Sequence, residues 1–162
     1  MEIRVRATGA VMLEDEFRAY QRAIGGPSWG TTTDEVLEAL GADVVFEGPQ
    51  ATGGTVYQFS MRQGVEQIGG KWHTKYVLGP IFTDNEDATA AEQEAAYKAQ
   101  KDAEQAKSVR DDRNKRLTET DWTQVADAPV DKAAWATYRQ ALRDVPSQGG
   151  FPWDVQWPTQ PK

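Results

Sequence analysis

The apolar positions change period several times along the first half of the chain. Residues 3–7 alternate apolar and charged, the pattern of a short strand. Leu13, Phe17, Tyr20 and Ile24 then recur at helical spacing, which places them on one face. Glu14, Asp15 and Glu16 fall in the first turn of that helix, where its dipole favours negative charge, and Gly25-Gly26-Pro27 stops it. A second helix is predicted from Thr33 as N-cap, with Asp34 and Glu35 in its first turn. Val36, Leu37 and Leu40 are its core contacts and Gly41 its end. Residues 44–46 read as a buried strand. An antiparallel β-meander follows. Tyr57, Phe59 and Met61 alternate with Gln58, Ser60 and Arg62; Val65–Ile68 make a second strand; Trp72, Thr74, Tyr76 and Leu78 share one face of a third. Gln63-Gly64 and Gly69-Gly70 are its expected turns. Residues 1–83 thus read as a small α+β domain with two helices and a meander.

From residue 86 to 120 the period becomes helical throughout. The segment is rich in Ala, Glu, Lys, Gln, Asp and Arg and lacks Pro and Gly. Ala88, Ala91, Ala95, Ala99, Ala103 and Ala106 form a thin apolar stripe. A lone helix with so little to bury is marginal in water, so it either packs on the domain or associates with a second copy or a partner helix. Residues 84–108 are accordingly read as a helical arm.

Residues 109–162 read as a helical hairpin with an aromatic–proline tail. Leu117 and Trp122 end the long helix, Asp127-Ala128-Pro129 is a turn, and Asp131 is the N-cap of the next helix. Ala134, Trp135, Tyr138, Ala141 and Leu142 give that helix its apolar face; Pro146 and Gly149-Gly150 break it. The tail carries Phe151, Trp153 and Trp157 interleaved with Pro152 and Pro158. Each such ring covers roughly 150–250 Å² when buried, so the tail is expected to fold back across Trp122, Trp135 and Tyr138. Trp122 and Trp135 are expected in the core. Trp122, Trp135, Tyr138, Phe151, Trp153 and Trp157 together are the candidate partner-binding residues.

Composition narrows the partners. The net charge of -7 disfavours nucleic acid and anionic lipid. With no cysteine there are no disulfides or thiolate metal sites. The N-terminus lacks the apolar run of a signal peptide, and no stretch approaches the ~20 apolar residues of a membrane span.

Candidate chemistry is sparse. His73 is the sole histidine and is read as a surface residue, since zinc sites need several N or S ligands. Glu14, Asp15 and Glu16 are adjacent on a helix and do not converge on one site, so helix-terminal charge is the preferred reading. Gly53-Gly54 precedes a strand and no Lys-Ser or Lys-Thr follows, so it is not a phosphate loop. Ser28 and Ser60 have no histidine in a nucleophile context. No catalysis, metal or cofactor is expected.

One resemblance adds to this reading. Arg113-Asn114, Thr120-Asp121-Trp122-Thr123-Gln124, Asp127, Pro129, Trp135, Tyr138-Arg139-Gln140, Leu142-Arg143-Asp144, Phe151-Pro152 and Trp157-Pro158 occur in succession. Together they resemble the C-terminal domain of the phage tail assembly chaperone family, over roughly residues 105–160. The resemblance implies a bacteriophage tail or tail-fibre component without enzymatic activity. Its partners would be phage tail or tail-fibre proteins, with self-association through the Ala-rich helix as a further contact. It would act as a structural adaptor in the virion tail, or as a transient chaperone in the host cytoplasm during assembly. The rival classes are an enzyme degrading cell-surface polymer, which needs convergent carboxylates in a cleft, and a regulator of the host.

Overall fold

The opening alternation forms strand β1 (Glu2–Val5), which buries Ile3 and Val5 and keeps Glu2 and Arg4 on the other face. The computed structural model describes all of residues 1–162 and divides them into two units, Met1–Ile81 and Phe82–Lys162. It is a mixed α+β structure.

In the first unit, β2 (Val11–Leu13) pairs antiparallel with β1 and runs directly into helix α1 (Glu14–Ala23). Glu16 closes the helix start by accepting from the Leu13 backbone N–H at 2.7 Å. Helix α2 (Asp34–Ala39) is capped by Thr33, whose hydroxyl accepts from Val36 N–H, as the sequence predicts. The remaining strands are β3 (Ala42–Phe46), β4 (Phe59–Ile68) and β5 (Lys71–Gly79). Ile3, Val5, Phe17, Leu37 and Ala42 form the core, with Met12, Tyr20, Trp29, Leu40 and Val44 packed against it. Leu13 and Ile24, expected on the apolar face of α1, are more than half exposed. They flank the helix, outside the turns that Phe17 anchors.

The expected meander is corrected on three counts. The five strands are ordered β2-β1-β3-β5-β4, so β5 lies inside the sheet and β4 at its edge. The sheet is mixed: β3 and β5 run parallel, with Val45 opposite Trp72 and Phe46 opposite His73. Gln63-Gly64 is not a turn, and the two strands expected on either side of it are one ten-residue strand, β4. Arg62 pairs with Tyr76 and Val65 with Thr74, so two residues stand opposite one. Gly64, at φ 80°, absorbs the extra residue as a bulge, and the chain keeps its direction. Gly69-Gly70 does reverse the chain, because both glycines take positive φ and Ile68 meets Lys71 across a two-residue loop. Tyr57 lies outside the strand. Phe46 ends β3 exposed and not buried.

Glu14 and Glu38 of this unit titrate below their usual range. Glu14 is held down first by the Thr32 hydroxyl that donates to it, then by Arg18 at 3.0 Å. Glu38 is held down by Arg6, which also pairs with Asp43. A carboxylate whose folded pKa lies below its unfolded value of 4.5 contributes stability that is present above that pH. That contribution disappears as the pH falls through the folded pKa. Thermal melts are therefore expected to be insensitive to Glu14→Gln below the folded pKa and to show its cost near neutrality. A cost that grew on acidification would refute the assignment.

In the second unit, helix α3 (Ala90–Glu119) is 30 residues long. It begins later than the composition change because Asp84 and Asn85 fold the chain before it: Asn85 accepts from Asp87 and Ala88 N–H, and Asp84 from Ala90 N–H. Thr89 and Glu92 form a capping box. Residues 108 and 109 lie inside the helix. Ion pairs at i,i+4, among them Glu94–Lys98, Lys107–Asp111 and Asp112–Arg116, support its solvated side. The alanine stripe is not the packed face. Ala91, Ala95, Ala99 and Ala103 are exposed, and the covered face instead carries Tyr97, Gln105, Ala106, Val109 and Leu117. The Phe82 and Tyr97 rings meet at a tilt, 5.6 Å apart. A single 3-10 turn (Asp121–Gln124) follows α3, then α4 (Lys132–Asp144) and a second 3-10 turn (Val145–Ser147). No helix is long and apolar enough to cross a membrane.

Candidate functional site

Helix α4 is built to present one apolar side. Asp131 caps it by accepting from Ala134 N–H at 3.1 Å. Trp135, Tyr138 and Leu142 then recur at three- and four-residue steps and are all buried. Leu117, Val130 and Trp157 pack against these three. The Trp135 and Tyr138 rings meet edge-on at 5.8 Å, a favoured aromatic geometry.

Arg139 lies on the same buried stripe, with only 7% of its side chain exposed. It donates to the Leu117 carbonyl at 2.6 Å, to the Thr120 hydroxyl at 2.7 Å and to Asp121 Oδ1 at 2.7 Å. Leu117 and Thr120 belong to the last turn of α3, whose final carbonyls have no partner within the helix. The guanidinium therefore joins the Thr120 N–H and hydroxyl in closing the end of α3, and it fixes the following turn. Lys132 does the same for the loop, donating to the Val125 carbonyl at 2.9 Å and the Ala126 carbonyl at 2.6 Å. Trp135 Nε1 and Arg139 Nε are buried without a hydrogen-bond partner in the chain.

The tail folds back, but along α3. Trp153 Nε1 donates to Asp102 at 2.6 Å and Gln105 donates to the Pro152 carbonyl. The Arg110 guanidinium lies 5.1 Å from the Phe151 ring and that of Arg116 4.4 Å from the Trp157 ring. Gln148 holds Gln156 through two hydrogen bonds at 2.8 Å, which braces the reversal. Of the tail rings, Trp157 is the one packed on the Trp135–Tyr138–Leu142 cluster. The expected path across Trp122 is not taken, because α3 offers a row of polar and cationic groups matched to the tail.

The six candidate residues therefore sort by exposure. Trp135 and Tyr138 are core; Phe151 and Trp157 are half-buried. Trp153 is 36% exposed and Trp122 52% exposed. The expectation that Trp122 is core is overturned. Helix α3 ends at Glu119, so Trp122 sits on the 3-10 turn with one side against Trp135 at 6.0 Å and much of its ring in solvent. Sequence reasoning gave Arg139 no role of its own, although its place four residues after Trp135 puts it on the apolar stripe. Nothing in the spacing marked Asp102, Gln105 or Arg110 as tail contacts.

The first unit holds a groove of about 190 Å³ lined by residues including Arg6, Leu37, Glu38, Asp43, Phe46 and Trp72. Within it Arg6 pairs with both Glu38 and Asp43. His73 stacks on Phe46 at 5.6 Å, and its Nδ1 lies 3.0 Å from the Lys71 carbonyl. Neither arrangement brings a nucleophile and a base together.

Residues 106–162 match the family model described as phage tail assembly chaperone protein, the family whose motifs this segment resembles. No curated protein and no solved structure was found to match the chain.

Proposed function

We propose that the chain acts in phage tail assembly by binding tail or tail-fibre subunits through its C-terminal unit, as an adaptor or assembly factor and without catalysis. The observation that carries this reading is the match over residues 106–162, which takes in the Arg139 clamp, the aromatic cluster and the folded-back tail. In this reading α3 and α4 are the two arms of a helical hairpin that the tail stiffens. Trp135, Tyr138, Phe151 and Trp157 organise the surface, and Trp122 and Trp153 offer rings to a partner. A rigid platform with a few exposed aromatics suits protein recognition, because pre-ordered rings lose little entropy on binding. Residues 1–83 form a separate α+β domain, and residues 84–108 an arm leading to the module at 109–162.

Deleting the codons for residues 106–162 from the encoding phage or prophage tests the reading. Electron microscopy is expected to show tails or fibres lost while heads still form. Normal tails in normal numbers would end the proposal. Mass spectrometry of purified particles then separates an adaptor, retained in the virion, from a transient chaperone.

A further inference from the structure

We propose that Trp122 is the docking point for a cationic peptide segment: the exposed ring face receives an arginine or lysine side chain of a partner, beside an apolar residue that rests on Val125. The proposal rests on the tail-assembly reading only for where such a segment comes from.

Three observations carry it. The first is that this chain repeatedly covers its tryptophan faces with its own guanidinium groups. Arg4 lies 3.9 Å from the centre of the Trp72 ring, Arg18 4.7 Å from Trp29, and Arg116 4.4 Å from Trp157. Trp135 is buried and Trp153 is tied to Asp102. Trp122 is 52% exposed and has no cation of its own chain over it. An indole face is the best aromatic acceptor for a cation, so the group it lacks is the group its chemistry selects.

The second is that the exposure is built and not a loose end. Arg139 pins Leu117, Thr120 and Asp121 on one side of Trp122. Lys132 pins Val125 and Ala126 on the other, and Val125 N–H returns to the Trp122 carbonyl. Both ends of the turn are anchored, and the inner side of the ring rests on Trp135. Much of the ring stays in solvent, and Val125, three residues on in the chain, is itself 52% exposed.

The third is charge. The cations of this region are already committed, Lys132 to two carbonyls and Arg139 to the interior. Asp121 stands next to Trp122 in the turn; it is paired with Arg139 at 2.7 Å but keeps 63% of its side chain exposed, and Asp127 is exposed in the loop that Lys132 gathers. Acidic groups beside an aromatic face attract a cation and repel an anionic segment.

The test uses the full chain and defined probes: a capped tetrapeptide with arginine followed by leucine, and the same peptide with citrulline, which is neutral and nearly the same shape. The Trp122 indole N–H resonance is identified by its absence in Trp122→Phe. It is expected to move saturably with the arginine peptide, which binds about two- to fivefold more tightly than the citrulline one, the ratio an exposed cation–π contact supplies. Trp122→Leu is expected to abolish that preference and Trp122→Phe to retain part of it, with circular dichroism unchanged in both. Equal binding of the two peptides, no movement of the Trp122 resonance, or an undiminished preference in Trp122→Leu would overturn the proposal. If tails are lost on deleting residues 106–162 while the arginine preference is absent, the docking site falls and the assembly role stands. An arginine preference with normal tails after the deletion sinks the assembly role alone.

Discussion

Trp135→Ala is expected to destabilise the C-terminal unit by about 3–5 kcal/mol, the range for removing a large aromatic from a core. The ring is 4% exposed and lies at the centre of contacts with Trp122, Tyr138 and the residues packed around Leu142. Its loss leaves a cavity that α4, at 13 residues, cannot close by itself, since so short a helix depends on tertiary cover. Small domains hold only about 5–15 kcal/mol in total, so the variant is expected to melt near or below physiological temperature. Chemical denaturation measures the effect, with Trp122→Ala as the comparison. If the two substitutions cost the same, burial at Trp135 is not what holds the unit together.

Arg139→Met is expected to cost about 2–3 kcal/mol, the scale of one or two hydrogen bonds from a charged donor. The methionine fills much of the stem's volume but takes one donor from the Leu117 carbonyl, which keeps the Thr120 N–H and hydroxyl, and the only charged donor from the Thr120 hydroxyl oxygen. The Asp121 carboxylate is solvated and is not stranded by the change, which keeps the cost below that of breaking a fully buried pair. Arg139→Lys is expected to recover less than half of the loss, because one ammonium cannot reach three acceptors arranged for a planar fork. Hydrogen exchange should show the added opening at the end of α3 and the turn that follows. Exchange there that stays as slow as in the unsubstituted chain would show that another group closes the helix.

The folded-back tail and the Arg139 clamp together explain how a unit with a thin apolar stripe holds a long helix. Most alanines on α3 face solvent, and cover comes from the distant tail, as with Trp153 on Asp102, Pro152 on Gln105, and the Phe151 and Trp157 rings against the helix's own Arg110 and Arg116. Aromatic–cation contacts of this kind bury the aliphatic stem and one ring face while leaving charge in water.

What the sequence by itself determined were the features that depend on neighbours in the chain. Thr33 and Asp131 cap helices, Gly69-Gly70 makes a two-residue turn, and Trp135, Tyr138 and Leu142 share one face. Each follows from a local backbone preference or a helical period. The likeness of residues 106–162 to the family model was legible in the same way, from residues in order. Tertiary structure alone decided the rest. Gln63-Gly64 had the composition of a turn and became a bulge, because pairing with β5 continues on both sides of it. The parallel β3–β5 contact joins strands separated by a long loop and a hairpin, and no local pattern specifies which strand lies inside a sheet. Ala91, Ala95 and Ala99 had helical spacing but met no partner, since the tail found its cover among polar side chains instead. Opposing apolar faces of a helical hairpin put Trp122 in the core with Trp135; the helix instead stops at Glu119 and the Arg139 clamp turns the chain, so the Trp122 ring comes out beside the core. Burial depends on where distant segments end up, and a single chain's residue pattern constrains that only through the elements it builds.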